Sequence, residues 1–406
     1  MRKLQEPLIL SVSGPDGPGI LGELAGILDR EGIELVDVEQ ATLQEFLAVS
    51  FLVDLGGEPR RAHALLSSFF PAAGRMGLSV EVRPISDDDL RTLRQSDLWA
   101  MTLLGGEATS RVTSAIGRVT GRHMANIMSI RRLAEADLRA AEFIVDTSRV
   151  ADVDAFRRDL FQACEEVGAD LGLAREAVYR QSKRIIVFDA DSTLVAGEVI
   201  DELARRAGVE DEVRSLTRRA MEGEIDFGEA LSRRVALLAG LTVEDLEDVA
   251  CSVPLTPGAE ETVAALQALG FKIGVISGGF TFFTDHLRER LNLDYAYGNR
   301  LEVVEGRLTG RLLPPVIDAE GKAARLREIA SLERAPLTQV VGVGDGANDI
   351  PMLRAAGLGV AFRAKPATRR AADGVILGES LTSLLYLLGV SQRAVRELMQ
   401  RREAPS

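Results

Sequence analysis

Two carboxylates stand one residue apart in Asp189-Ala190-Asp191-Ser192-Thr193, directly after the apolar run Ile185-Ile186-Val187-Phe188. The run reads as a buried parallel strand, so both acids emerge at its carboxyl end, where open α/β sheets place their ligands. Such a pair can divide the labour: one carboxylate attacks or binds a metal, the other moves a proton. An isolated Asp-x-Asp reads more readily as a solvated turn. Here the missing parts follow in order. A second apolar strand, Ile273 to Ile276, ends in Ser277-Gly278-Gly279, whose hydroxyl and backbone N–H groups can hold phosphoryl oxygens. Lys322 opens a helical segment through Leu326 and Ile329 and offers a point charge for phosphate and an acidic nucleophile. A third strand, Val340 to Val343, runs into Gly344-Asp345-Gly346-Ala347-Asn348-Asp349. Asp189 and Asp345, each at a strand tip, can supply the one or two carboxylates that Mg²⁺ takes beside phosphate and water.

These four motifs, in this order, resemble the haloacid dehalogenase superfamily of aspartyl-phosphate enzymes. The resemblance implies a Rossmann-like core over 181–395, Asp189 as nucleophile, Asp191 as general acid and base, and Lys322 as the charge partner of both nucleophile and phosphate. It implies Mg²⁺ held by Asp189, the Asp191 backbone carbonyl and Asp345, with Asp349 in an outer shell. Ser277, Gly278 and Asn348 would complete the phosphate cradle.

The stretch 198–255 is helical in pattern and reads as a lid over the core. Val195-Ala196-Gly197-Glu198-Val199-Ile200-Asp201, then Met221, Phe227 and Leu231-Ser232-Arg233-Arg234-Val235, resemble the phosphoserine phosphatase family. By that resemblance Glu198 binds a substrate ammonium, Arg234 its carboxylate, and Met221 and Phe227 shield the closed site. Arg233 is the rival to Arg234, and the spacing from Phe227 favours the latter. A zwitterionic amino-acid end requires such an anion and a forked cation. The implied reaction is hydrolysis of O-phospho-L-serine to L-serine and phosphate, the last step of serine synthesis. Two readings compete: a phosphatase for another phospho-metabolite or a phosphoprotein, and an amino-acid sensor with a vestigial catalytic domain.

The N-terminal part reads as a degenerate duplication of a β-α-β-β-α-β order, the ferredoxin-like arrangement, over 1–85 and 96–180. In the first copy a strand at Leu8 to Val12 and a turn at Gly14 to Gly19 precede a helix from Ile20 to Arg30 with Leu21, Leu24, Ile27 and Leu28 on one face. Asp16-Gly17-Pro18-Gly19-Ile20 resembles the start of an ACT domain, an amino-acid-sensing module, which makes Asp16 and Gly19 a candidate regulatory site with L-serine as the candidate effector. The second copy carries only Gly105-Gly106 at that turn. A linker at Asp87-Asp88-Asp89 separates the two, and exposed edge strands suggest a homodimer.

The formal net charge of −13 disfavours a nucleic-acid backbone as partner. Cys164 and Cys251, the 2 cysteines, are too few for a disulfide framework and read as small core residues. No apolar segment is long enough to span a bilayer and no secretory h-region opens the chain, so a cytoplasmic enzyme is expected. His63, His123, His286, Trp99 and Tyr179 fall outside every motif, and Arg401-Arg402-Glu403 reads as a solvated tail.

Overall fold

The computed structural model describes residues 4–86, 97–105, 109–134, 140–175, 183–221, 224–394 and 396–397. The linker at Asp87 to Asp89, Gly106, Tyr179, the Arg401 to Glu403 tail and the side chains of Met221 and Phe227 lie outside the described residues. The chain divides into two compact units, Met1–Ser96 and Asp97–Ser406.

In the first unit β1 (Pro7–Pro15), β2 (Glu34–Leu43), β3 (Phe46–Asp54) and β4 (Ser79–Pro84) form an antiparallel sheet in the order β2-β3-β1-β4. Alternation along β3 sends Leu47, Val49, Phe51 and Val53 into the core, where they meet Leu24, Ile27 and Leu28 of helix Ile20–Arg30. The expected β-α-β-β-α-β order is therefore present. One expectation is corrected: Leu21 is exposed, and Ile20 takes its place in the core. The buried set 20, 24, 27, 28 is the tighter i, i+4, i+7, i+8 stripe.

In the second unit β5 (Leu98–Leu104), β6 (Asn126–Arg132), β7 (Ala140–Asp146) and β8 (Asp170–Arg175) repeat that order, with helices Thr109–Arg122 and Val153–Glu166 on one face. The parallel core follows: β9 (Ile185–Phe188), β10 (Lys272–Phe280), the antiparallel pair formed by the end of β11 (Tyr295–Val304) and β12 (Arg307–Leu313), then β13 (Val340–Gly344), β14 (Leu358–Phe362) and β15 (Gly374–Ile376). Both sets belong to one 11-stranded sheet, β12-β11-β10-β9-β13-β14-β15-β8-β5-β7-β6. The join is the antiparallel pair β8–β15, with Gly172 opposite Gly374 and Leu171 opposite Val375. Asp170 reinforces it by accepting hydrogen bonds from the backbone N–H groups of Leu377 and Gly378. Arg157 bridges the same seam to Asp373 at 3.1 Å.

β9 is central in the parallel core and fully buried. Its pleat sends Ile186 and Phe188 to one face and Ile185 and Val187 to the other, each into its own apolar cluster. Over the first cluster lie the lid helices Val199–Ala207, Glu210–Met221, Phe227–Leu237 and Val243–Ser252. Cys164 is buried, and burial pushes its thiol up to about 12, so it is an inert core group. Cys251 departs from expectation. It is exposed, one position round the helix from the buried face of Leu246, Val249 and Ala250.

Candidate active site

Register sets the site. Phe188, the last residue of β9, lies level with Val275 of β10 and Val343 of β13, so the residues just beyond that level on the three strands are neighbours. Asp189 and Asp345 thus directly follow the ends of β9 and β13, and Ser277 lies within the adjacent β10 just past Val275. Asp189 stays extended (φ −68°, ψ 158°), and its N–H donates to Val343 O at 2.8 Å. Ser192 then turns through the left-handed region at φ 56°, with its N–H on Gly197 O. That conformation costs a β-carbon-bearing residue about 1–2 kcal/mol and bends the chain from the core into the lid.

Lys322 is the hub. Asp318 caps helix Ala319–Leu332 by accepting from Gly321 N, which aims the Lys322 stem across the strand tips. Its Nζ donates to Asp189 Oδ1 and to Asp349 Oδ1, both at 2.7 Å, and all three groups are buried. Burial alone would depress the ammonium, but the two carboxylates more than offset it and raise Lys322. One cation does not neutralise the acids around it. Burial, then Asp349, hold Asp189 well above the ordinary carboxylate range despite Lys322.

Asp189, Asp345 and Asp349 bring carboxylate oxygens within 4.8 Å of one another. Asp349 spends Oδ1 on Lys322 and Oδ2 on the N–H groups of Asp345 and Gly346, whereas the Asp345 carboxylate accepts no hydrogen bond among the described residues. Burial and Asp349 push Asp345 up to about 6. Hard oxygen donors converging with surplus negative charge fit a hard divalent cation, with Asp345 and the second oxygen of Asp189 free to face it. Gly344 permits the convergence, because a Cβ there would meet Asp349 Cγ at 2.5 Å.

Asp191 is oriented rather than paired. Its Oδ1 accepts from Val199 N at 2.8 Å, at the start of the lid, and its Oδ2 from Ser277 Oγ at 3.2 Å. Burial raises its pKa, which favours the protonated acid. Ser277 Oγ also accepts from Gly279 N at 2.8 Å; a Cβ on Gly279 would stand 2.9 Å from that oxygen and 3.2 Å from Asp191 Oδ2. Gly278 and Asn348 are half-buried at the same end of the sheet.

Glu198 precedes helix Val199–Ala207 without capping it, which leaves its carboxylate available. It keeps contact with water yet is hemmed in by lid and core. That enclosure, with Asp191, Asp345 and Asp201 nearby, raises its pKa, and Arg234 opposes the rise. Arg234 is half-buried and reaches Thr217 Oγ1 at 3.4 Å, while Arg233 points to solvent and pairs with Glu229. Thr217 escaped the sequence reading, although it lies one helical turn before Met221. In the first unit Asp16 Oδ1 accepts from Gly17 N, and Gly19 starts its helix at φ 89°.

Residues 186–354 match the haloacid dehalogenase-like hydrolase family, and residues 6–83 match the ACT domain. The chain is 40% identical over 385 residues to phosphoserine phosphatase SerB2 of Mycobacterium tuberculosis, covering 95% of this chain and 93% of that one. The chain belongs to the phosphoserine phosphatase family. A family member from Archaeoglobus fulgidus is 45% identical over 317 residues, 78% of this chain and 91% of the relative. The unliganded crystal structure of a probable phosphoserine phosphatase from Vibrio cholerae superposes with a TM-score of 0.56 at 34% identity, over 75% of this chain and 89% of that one. No helix among the described residues is long and apolar enough to cross a membrane.

Because Lys322 is the shared cation of two buried acids, Lys322→Met should cost about 3–5 kcal/mol of folding stability. Asp349→Leu in the same chain should recover part of that loss. A urea midpoint unchanged by Lys322→Met would show that the acids are not held as ions.

Proposed function

We propose that the chain hydrolyses O-phospho-L-serine to L-serine and phosphate, the closing step of serine synthesis, in the cytoplasm, with modules at 1–85, 96–180 and 181–395. The observation that carries the reading is the pairing of two sets of groups at one strand end. A Lys322-bound Asp189 with Asp191 and Asp345 suits phosphoryl transfer, and Glu198 opposite Arg234 suits an amino-acid zwitterion. Family membership supports the same substrate.

In this mechanism the free oxygen of Asp189 attacks phosphorus, the ester P–O bond breaks, and an aspartyl-phosphate forms. Asp191, held as an acid by its surroundings, donates its proton to the departing seryl oxygen. As a base it then takes a proton from water, which attacks the aspartyl-phosphate and regenerates Asp189. Lys322 balances the charge that gathers on the nucleophile and the phosphoryl oxygens. The Ser277 hydroxyl, the Gly278 backbone and Asn348 hold those oxygens in place. Mg²⁺ at Asp189, the Asp191 carbonyl and Asp345, with Asp349 behind, would supply further charge neutralisation when bound. Glu198 orients the substrate ammonium and Arg234 its carboxylate. In the first unit, Asp16 and Gly19 form the start of an effector site for L-serine, and the chain pairs as a homodimer.

Phosphate release from O-phospho-L-serine should require Mg²⁺ and vanish in Asp189→Asn; turnover retained by that variant would remove the nucleophile assignment. Charge reversal in Glu198→Lys should raise KM for O-phospho-L-serine far more than for an aryl phosphate, and an equal effect on both would exclude the ammonium contact. For regulation, Gly19→Val should weaken inhibition by L-serine while sparing turnover in its absence. Inhibition that stays the same places serine at the aspartate site as bound product.

A further inference from the structure

A cleft of about 610 Å³ opens between helix Val153–Glu166 of the second β-α-β-β-α-β module and helices Ile350–Ala355 and Pro366–Ala371 of the parallel core. It shares no lining residue with the aspartate site. Its volume falls in the range of small-molecule sites. The floor is apolar, built by Phe161, Leu171, Val375 and Leu377, where the β8–β15 seam passes beneath.

The rim has the opposite charge to the chain. Arg157, Arg158, Arg354, Arg369 and Arg370 line it against only Asp154 and Glu165, five cations to two anions, in a protein of net charge −13. Arg157 is engaged by Asp373 and Arg369 by Glu165. Arg354 and Arg370 make no hydrogen bond or ion pair among the described residues, and the buried Nε of Arg369 has no hydrogen-bond partner. Guanidinium groups left with donors to spare around an apolar floor favour an anion with an apolar body.

Two walls of the cleft also begin at the aspartate site. Helix Ile350–Ala355 directly follows Asp349 and carries Arg354 in its last turn. Helix Pro366–Ala371 directly follows Lys365, whose N–H donates to Asp345 O at 3.4 Å, and carries Arg369 and Arg370 in its last turn. We propose that the cleft binds a small organic phosphate or carboxylate with an apolar body, and that its occupancy acts through these two short helices on the loop from Asp345 to Asp349.

Calorimetric titration of the full chain with naphthalene-1-phosphonate, 1-naphthylacetate and the neutral 1-naphthylacetamide tests this. The two anions should bind saturably, their order reporting which head group is preferred, and the amide should bind more weakly. Arg354→Glu/Arg370→Glu should weaken the anions by at least about tenfold, as expected when charge-assisted contacts are reversed. The same variant should keep its basal phosphate release, which shows that it folds. Absence of saturable binding, equal binding of the amide, or anion affinity untouched by the double variant would overturn the site. A bound anion that leaves native phosphate release unaltered would overturn its link to the aspartate loop. That link rests on the phosphatase reading; the binding arm does not, so the two fail separately.

Discussion

A single buried ammonium gathers the chemistry of this fold. Lys322 ties a helix, the tip of β9 and the loop after β13 into one cluster through two bonds of 2.7 Å. Removing a lysine from water is expensive, and the cost is offset only because two carboxylates receive it. The arrangement has a chemical result as well as a structural one. Lys322 is shared between Asp189 and Asp349, and burial, with Asp349 beside it, holds Asp189 well above the ordinary carboxylate range despite that cation. Clustered hard oxygen donors of this kind suit a hard divalent cation, and burial keeps the neighbouring Asp191 in its protonated form more readily than a free carboxyl.

Much of this was legible in the residues. Asp189, Ser277, Lys322 and Asp345 each follow or open an apolar segment whose period reveals strand or helix, so their meeting at one sheet end follows from parallel topology. The choice of Arg234 over Arg233 rested on spacing; on helix Phe227–Leu237 Arg234 is half-buried and reaches Thr217, whereas Arg233 is exposed and pairs with Glu229. Asp349 was less legible. Its backbone position is plain, but its role as second acceptor of Lys322 depends on a 3-10 turn that folds it back under Gly344 and Gly346.

The joining of two sheets into one could not be read at all. β8 and β15 meet through two residue pairs, one of them Gly172 opposite Gly374, and glycine contributes nothing to a hydrophobic pattern. The repeat was visible in the period of its strands, whereas its attachment depends on backbone edges and on Asp170 reaching the N–H groups beyond β15. Leu21 and Cys251 show a related shortfall. Leu21 fits an apolar stripe and Cys251 reads as a small core residue, yet each falls just outside the arc that its helix buries.

The seam between β8 and β15 has a practical meaning for how this enzyme can be cut. A chain begun after residue 182 would keep every group of the aspartate cluster and yet expose β15 as a bare margin, with the N–H groups of Leu377 and Gly378 deprived of Asp170. Such a margin invites strands from other molecules. The second module therefore serves the catalytic half as a fixed selvedge along β15, and the outer border of the joined sheet passes to β6.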